Sequence, residues 1–96
     1  MISYYTYILE CSDGKYYVGV TNDLDRRLAE HQEGLNPKSY TYSRRPLKLV
    51  YHLELNAIEE AISFEKQLKG WTRKKKEALI KGEFEMLPGL SKKKFQ

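Results

Sequence analysis

The tripeptide Ser12-Asp13-Gly14 separates two runs of aromatic and β-branched residues, and it constrains the fold more than any other stretch of the chain. Residues 4–11 (Tyr-Tyr-Thr-Tyr-Ile-Leu-Glu-Cys) and 15–21 (Lys-Tyr-Tyr-Val-Gly-Val-Thr) both carry strand-favouring side chains. An Asp-Gly turn between them predicts a β-hairpin, and the loop length decides which side chains share a face. A two-residue loop would put Tyr7 and Tyr17 on opposite faces. A three-residue loop with Gly14 in the left-handed region forms a bulge and sets Tyr7 opposite Gly19 and Leu9 opposite Tyr17. A slip of one residue turns every side chain over, so the tyrosines can act together only in the second register. The bulged hairpin is the expectation, because the site drawn below requires it.

The chain after the hairpin alternates helix and strand signals. Thr21 or Asn22 can cap a first helix, with Asp23 and Asp25 well placed against its N-terminal dipole. It is expected to run to about Glu33 and stop at Gly34. Leu24 and Leu28 form its buried stripe, and Arg27 and His31, four apart, lie together on one flank. Residues 34–46 hold two prolines and polar turn formers and read as a loop. Residues 47–54 alternate as a third strand, with Leu47, Leu49, Tyr51 and Leu53 on one face. Asn56 with Glu59 resembles a capping box opening a second helix, with Ala57, Ile58, Ala61, Ile62, Phe64 and Leu68 as its apolar face. Glu65 falls within that stripe. Gly70 ends this helix, Thr72 caps a third over 73–81, and Gly82 closes it. Leu87-Pro88-Gly89 reads as a turn.

Ninety-six residues suffice for one domain, placed at 1–90, followed by a disordered basic tail at 91–96. The composition, 41% hydrophobic and 31% charged, is that of a globular chain. No apolar run approaches the roughly 18 residues that cross a membrane. Met-Ile-Ser-Tyr-Tyr has neither a basic start nor a cleavage site of the secretory kind. The single cysteine, Cys11, has no internal disulfide partner, which fits a reducing compartment, and the cytoplasm is the expected address. Cys11 reads as a small strand hydrophobe.

The net charge is +4, of which Lys92, Lys93 and Lys94 supply three, so its distribution says more than its size. Residues 38–48 hold Lys38, Arg44, Arg45 and Lys48 without an acid; residues 66–76 hold Lys66, Lys69, Arg73, Lys74, Lys75 and Lys76, again without one. Such clusters suit a polyphosphate partner or a solvated face. In the loop, Tyr40 and Tyr42 interleave with Arg44 and Arg45, a mixture that can stack bases and contact phosphates. Arg44, Arg45, Lys69, Arg73 and Lys74 are the candidate nucleic-acid contacts. Glu65 reads either as a metal-binding carboxylate or as half of an ion pair with Lys69.

A phosphate-binding loop, paired-cysteine zinc spacing and a nucleophile elbow are all missing from the sequence. What stands out is Tyr5-Thr6-Tyr7, then Tyr17-Val18-Gly19 ten positions on, then Arg27 ten further, with Glu65 downstream. This pattern resembles the GIY-YIG nuclease superfamily. The size, the Arg-Arg-Pro-Leu-Lys-Leu-Val-Tyr stretch and the Phe-Glu-Lys-Gln-Leu-Lys helix are most similar to its short stand-alone bacterial branch, the UPF0213-like proteins. That branch is related to the nuclease domain of the excision-repair incision subunit and to Slx-type nucleases. Tyr5 stands where the family's name has glycine, and Val20 where the repair enzymes have lysine.

The resemblance implies an α+β fold, a three-stranded antiparallel sheet flanked by about three helices. It implies Tyr7, Tyr17, Arg27 and Glu65 as the catalytic set, with Glu65 holding one Mg²⁺ or Mn²⁺, a tyrosine acting as base, and Arg27 on the scissile phosphate. Gly19 would allow a close backbone approach, and His31, Tyr40 or Tyr42 could serve as an accessory group. The implied activity is metal-dependent endonuclease cleavage of DNA, in repair or recombination; RNA is left open, and so is a protein partner that selects the target. Two other classes compete with this: a nucleic-acid-binding module on the same fold with little or no catalysis, and a small protein-interaction domain.

Overall fold

The hairpin closes in the three-residue register. In the computed structural model, which describes residues 2–83, β1 (Tyr4–Glu10) pairs antiparallel with β2 (Tyr16–Thr21), Tyr7 opposite Gly19 and Leu9 opposite Tyr17. Gly14 sits at φ 84°, in the left-handed region that a side chain disfavours. The Cys11 amide donates to the Lys15 carbonyl at 2.8 Å, and the Gly14 amide to the Cys11 carbonyl at 2.9 Å. The turn at Leu87-Pro88-Gly89, the tail at 91–96 and the domain end at residue 90 lie outside the described residues.

The first helix, α1 (Leu24–Glu33), begins one residue later than the capping signal suggested. Neither Thr21 nor Asn22 is its cap. The strand continues through Thr21, and Asp23 takes the extended cap conformation, its carboxylate accepting from the Arg26 amide at 3.1 Å. Thr21 instead holds the Asp23 amide through its hydroxyl at 3.1 Å. Gly34 closes the helix at φ 67°. A single 3₁₀ turn, Tyr42–Arg44, interrupts the following loop.

The third strand, β3 (Lys48–Leu55), adds to the other side of β1, giving the antiparallel order β2-β1-β3. Its alternation departs from the expectation. Tyr51 lies opposite Ile8 and Leu49 opposite Leu9, so Val50 is the extra residue of a bulge. Leu47 and Leu49 therefore pack with Leu9 on one face, while Tyr51 packs with Ile8 on the other. Leu53 is 39% exposed.

The helices α2 (Ile58–Lys69) and α3 (Arg73–Lys81) follow. Asn56 does not cap α2: β3 runs to Leu55, the chain turns at Asn56, and Ala57 occupies the cap position with no side-chain bond. The sheet-facing side of α2 is Ala61, Phe64 and Leu68, and Ile62 is turned 39% into solvent, off the apolar face assigned to it. Thr72 caps α3 through the Lys75 amide at 3.2 Å, and Gly82 ends it at φ 76°. No helix among the described residues is long and apolar enough to cross a membrane.

The sheet thus carries a helix layer on each face. Ile8 and Val18 meet Leu68, Ala78 and Leu79 of α2 and α3 on one side. On the other, Tyr7, Leu9, Cys11 and Leu47 meet Leu24 and Leu28 of α1. Cys11 is 4% exposed within that second cluster, as a small hydrophobe, and burial pushes its thiol pKa up. Tyr7, Tyr17, Arg27 and His31 spring from where the hairpin and α1 meet the loop, whereas Glu65 stands on α2 in the other helix layer.

Candidate active site

Tyr7 and Tyr17 project from adjacent strands onto the α1 face, their ring centroids 6.3 Å apart. Arg27 and His31 come down on them from α1, one turn apart on the flank beside Leu24 and Leu28. His31 is the hub. Its Nε2 lies 3.0 Å from the Tyr7 hydroxyl and its Nδ1 2.9 Å from the Thr41 hydroxyl. Its ring meets Tyr17 edge-on at 5.2 Å. Thr41 is 1% exposed and bonded in turn to Ser39 at 3.0 Å.

Gly19 is required by this packing. A Cβ there would lie 2.5 Å from the Tyr7 hydroxyl, so the residue opposite Tyr7 has no room for a side chain. The close approach is between Tyr7 and the β2 backbone, within the fold itself.

The electrostatics follow from burial. Tyr7 is 1% exposed, and loss of hydration lifts its pKa far above the ordinary phenol value; Tyr17 and Glu65 push the same way and Arg27 opposes them. At neutral pH Tyr7 is therefore a protonated phenol. Burial and the Arg27 charge lower the His31 pKa, with Glu30 opposing, so His31 is a neutral imidazole. Arg27 itself pairs through Nε with Glu30 at 3.2 Å, which leaves its terminal guanidinium nitrogens for another partner.

A cleft of about 270 Å³ opens over these groups, with Tyr17, Arg27, Glu30, His31, Thr41 and Tyr42 among its lining residues. Its loop wall is fastened by reciprocal bonds: Gln32 Nε2 donates to the Leu47 carbonyl at 2.6 Å, and the Leu47 amide donates to Gln32 Oε1 at 3.0 Å.

Glu65 comes from the opposite helix layer, on α2, which packs against β1 and β2. Its side chain is 20% exposed and pairs with Lys69 at 3.1 Å. This is the ion pair that the sequence spacing offered as the plainer reading. Such a pair, one turn apart and half in water, stabilises by only about 0.3–0.5 kcal/mol, so a divalent ion can displace it. No cluster of three His, Cys, Asp or Glu side chains occurs among the described residues. Glu65 is the carboxylate on α2 that could serve a divalent cation.

The remaining candidates are spread along the rim. Tyr40 stacks on Tyr17 at 6.2 Å with 23° between planes, and Tyr42 is 37% exposed at the cleft mouth. Arg44 lies 3.9 Å over the Tyr40 ring and pairs with Asp13 at 3.0 Å; Arg45 lies 4.7 Å over Tyr42 and donates to its carbonyl. Both arginines hold the loop in shape. Arg73 sits over Tyr16, pairs with Glu77 and donates to the Gly14 carbonyl. Lys74 is exposed, on the first turn of α3. Thr41, Ser39 and Glu30 were missed from the sequence. Only their polarity near His31 could have hinted at them, and the loop path that brings Thr41 to the imidazole has no local signature.

Comparison with known proteins places this geometry. The family model described as the GIY-YIG catalytic domain matches residues 3–78. A UPF0213 protein of Bacillus pumilus is 46% identical over 78 residues, covering 81% of this chain and 79% of that one. A UPF0213 protein of Halalkalibacterium halodurans is 43% identical, covering 82% and 83%. Among solved structures, the solution NMR structure of a UPF0213 protein from Bacillus halodurans matches at TM-score 0.55 and 41% identity, covering 83% of this chain and 84% of that one. A solution NMR structure from E. faecalis matches at TM-score 0.60 and 36% identity, covering 85% and 86%. None of these names states an activity.

Proposed function

The chain belongs to the GIY-YIG catalytic domain family, within its UPF0213 branch, and from that premise we propose that it is a metal-dependent endonuclease hydrolysing phosphodiester bonds in DNA. The observation that carries this reading is one cleft lined by Tyr17, Arg27 and His31, with the buried Tyr7 hydroxyl at hydrogen-bond distance from His31 and a half-buried carboxylate, Glu65, within electrostatic reach of Tyr7.

A phosphodiester resists attack because its negative charge repels nucleophiles, so cations fixed where charge develops supply most of the acceleration. Arg27 offers planar paired donors to the phosphate oxygens, its Nε held by Glu30. Glu65 would hold the divalent ion, Mg²⁺ or Mn²⁺. When bound, that ion stabilises charge on the phosphate and makes water more acidic. Tyr7 carries its own proton at neutral pH, so as a base it must pass that proton on while taking one from the attacking water. His31 Nε2, 3.0 Å away and neutral, is the acceptor in the tautomer that carries its proton on Nδ1, where the Thr41 hydroxyl can accept it. Tyr17 lines the cleft with its ring against both Tyr7 and His31, and so helps to orient the imidazole.

The experiment is cleavage of labelled single-stranded, duplex and branched DNA with Mg²⁺ or Mn²⁺, wild type against Glu65→Gln. Metal-dependent cutting that the substitution abolishes is expected. Salt-dependent binding without any cutting would make the chain a nucleic-acid-binding module instead.

A further inference from the structure

Among the described residues β2 pairs with β1 alone, and a second, open cleft of about 330 Å³ lies along its other edge. Its lining comes from four elements: Tyr16, Tyr17 and Val18 of the strand, Tyr40 of the loop, Lys69 of α2 and Lys76 of α3. Tyr17 belongs to both clefts. No carboxylate lines this one, and Lys76 makes no ion pair among the described residues.

The aromatic rim is braced from behind. The Arg44 guanidinium lies 3.9 Å over the Tyr40 ring, whose centroid is 6.2 Å from that of Tyr17, and Tyr16 lies beneath Arg73 at 4.6 Å. Arg44 is answered by Asp13 and Arg73 by Glu77, so these arginines fix rings and leave phosphate binding to the lysines. Tyr40 is nonetheless 42% exposed. Rings already ordered lose little freedom on contact with a ligand. An exposed Tyr40 and a half-buried Tyr16 beside an ammonium with no ion pair among the described residues are the components of a nucleotide site: a base or sugar against the ring, a phosphate at the cation.

We propose that this cleft binds the nucleotide flanking the scissile bond in an unpaired stretch of the DNA strand, with its phosphate at Lys76 and its base against the Tyr40 and Tyr16 rim. The proposal rests on the nuclease reading for its position, since Tyr17 is the shared wall that carries the strand from the Arg27 cleft to this one. Base pairing would hide the base from the rim, so the subsite favours single-stranded or frayed DNA over closed duplex. Lys69, paired with Glu65 here, would be free to join Lys76 on the phosphate if Glu65 held a metal ion.

The test is fluorescence anisotropy of a short labelled oligothymidylate, and of a closed duplex, with the full chain in EDTA so that no cleavage intrudes. Lys76→Gln is expected to weaken oligothymidylate binding several-fold and to flatten the dependence of log affinity on log salt by about 0.7, the loss of one single-strand phosphate contact. Tyr40→Ala should weaken binding by about tenfold with an unchanged salt slope, whereas Tyr40→Phe keeps the ring and the affinity. Lys48→Gln, on β3, is the reference. Should Tyr40→Ala unfold by circular dichroism, Lys76→Gln decides alone. If Lys76→Gln matches Lys48→Gln in affinity and slope, the subsite is wrong even where the wild type cuts DNA. If these losses occur but the wild type cuts nothing with metal, the catalytic reading fails and the subsite stands. A wild type that binds no oligonucleotide overturns both.

Discussion

His31 shows how much one side chain depends on what folds around it. Burial and Arg27 favour its neutral form, and in that form it can take the Tyr7 proton. As pH falls, protonation removes the acceptor and places a second cation beside Arg27. Cleavage is therefore expected to fall through an acid limb centred below the ordinary imidazole value of 6.5. His31→Gln should abolish that limb and slow the reaction by about 10²–10⁴-fold, read from kcat/KM against pH. A limb at or above the ordinary value would sink the relay. The same shift bears on stability. The unfolded chain takes up this proton more readily, so the His31 contribution is complete above the ordinary value and is lost as pH falls through the lower folded value.

At the scale of elements, the helix ends differ in how well they are finished. Asp23 and Thr72 cap α1 and α3 with side-chain oxygens, and Ala57 caps α2 with none. The extended backbone at Ala57, φ −127° and ψ 138°, already has the cap conformation that serine prefers. Ala57→Ser is expected to stabilise the protein by about 1 kcal/mol, visible as a higher urea midpoint with an unchanged slope. An unchanged midpoint would mean that water already satisfies the first amides of α2. The hairpin is the opposite case, an element whose turn is well finished. Gly14 supplies the left-handed turn, Asp13 accepts from the Lys15 amide, and a register one residue off would turn Tyr17 away from the face of Tyr7 and Leu9.

For the whole molecule, tyrosine is the residue that ties the layers together. Tyr7 lies in the α1 layer, Tyr51 packs against Phe64 of α2, and Tyr16 packs on the same core under Arg73. Burial raises the pKa of all three above the ordinary 10.0, as the first cause in each. In the unfolded chain these phenols ionise at their ordinary value, and in the fold they resist. Their contribution is thus fully present below pH 10 and is lost as pH rises through the folded values. Thermal midpoints should hold up to about pH 10 and then drop steeply. Tyr51→Phe, which removes one hydroxyl from a site shifted by burial alone, should make that drop shallower. An equally steep decline in Tyr51→Phe would assign it to other groups.

The sequence by itself determined whatever a short window encodes. The Asp13-Gly14 turn marked the hairpin, and the bulged register that gives Tyr7 and Tyr17 a shared face was expected because their site requires it. Gly34, Thr72 and Gly82 bounded helices where backbone sterics or a capping oxygen require it. The spacing of Tyr7, Tyr17, Arg27 and Glu65 was legible as a pattern before any coordinates. Tertiary structure alone decided the rest. The bulge at Val50 turned Tyr51 away from Leu49 because each had to find its own core, a requirement set by residues forty positions or so away. Asn56 lost its capping role because β3, held by β1, ran one residue too far. Arg44 and Arg45 became braces for tyrosines, and Thr41 reached His31, through the path of a loop that has no periodicity to read. Local rules record the energetics of neighbours in the chain, whereas a site is assembled from groups that become neighbours only when the layers close.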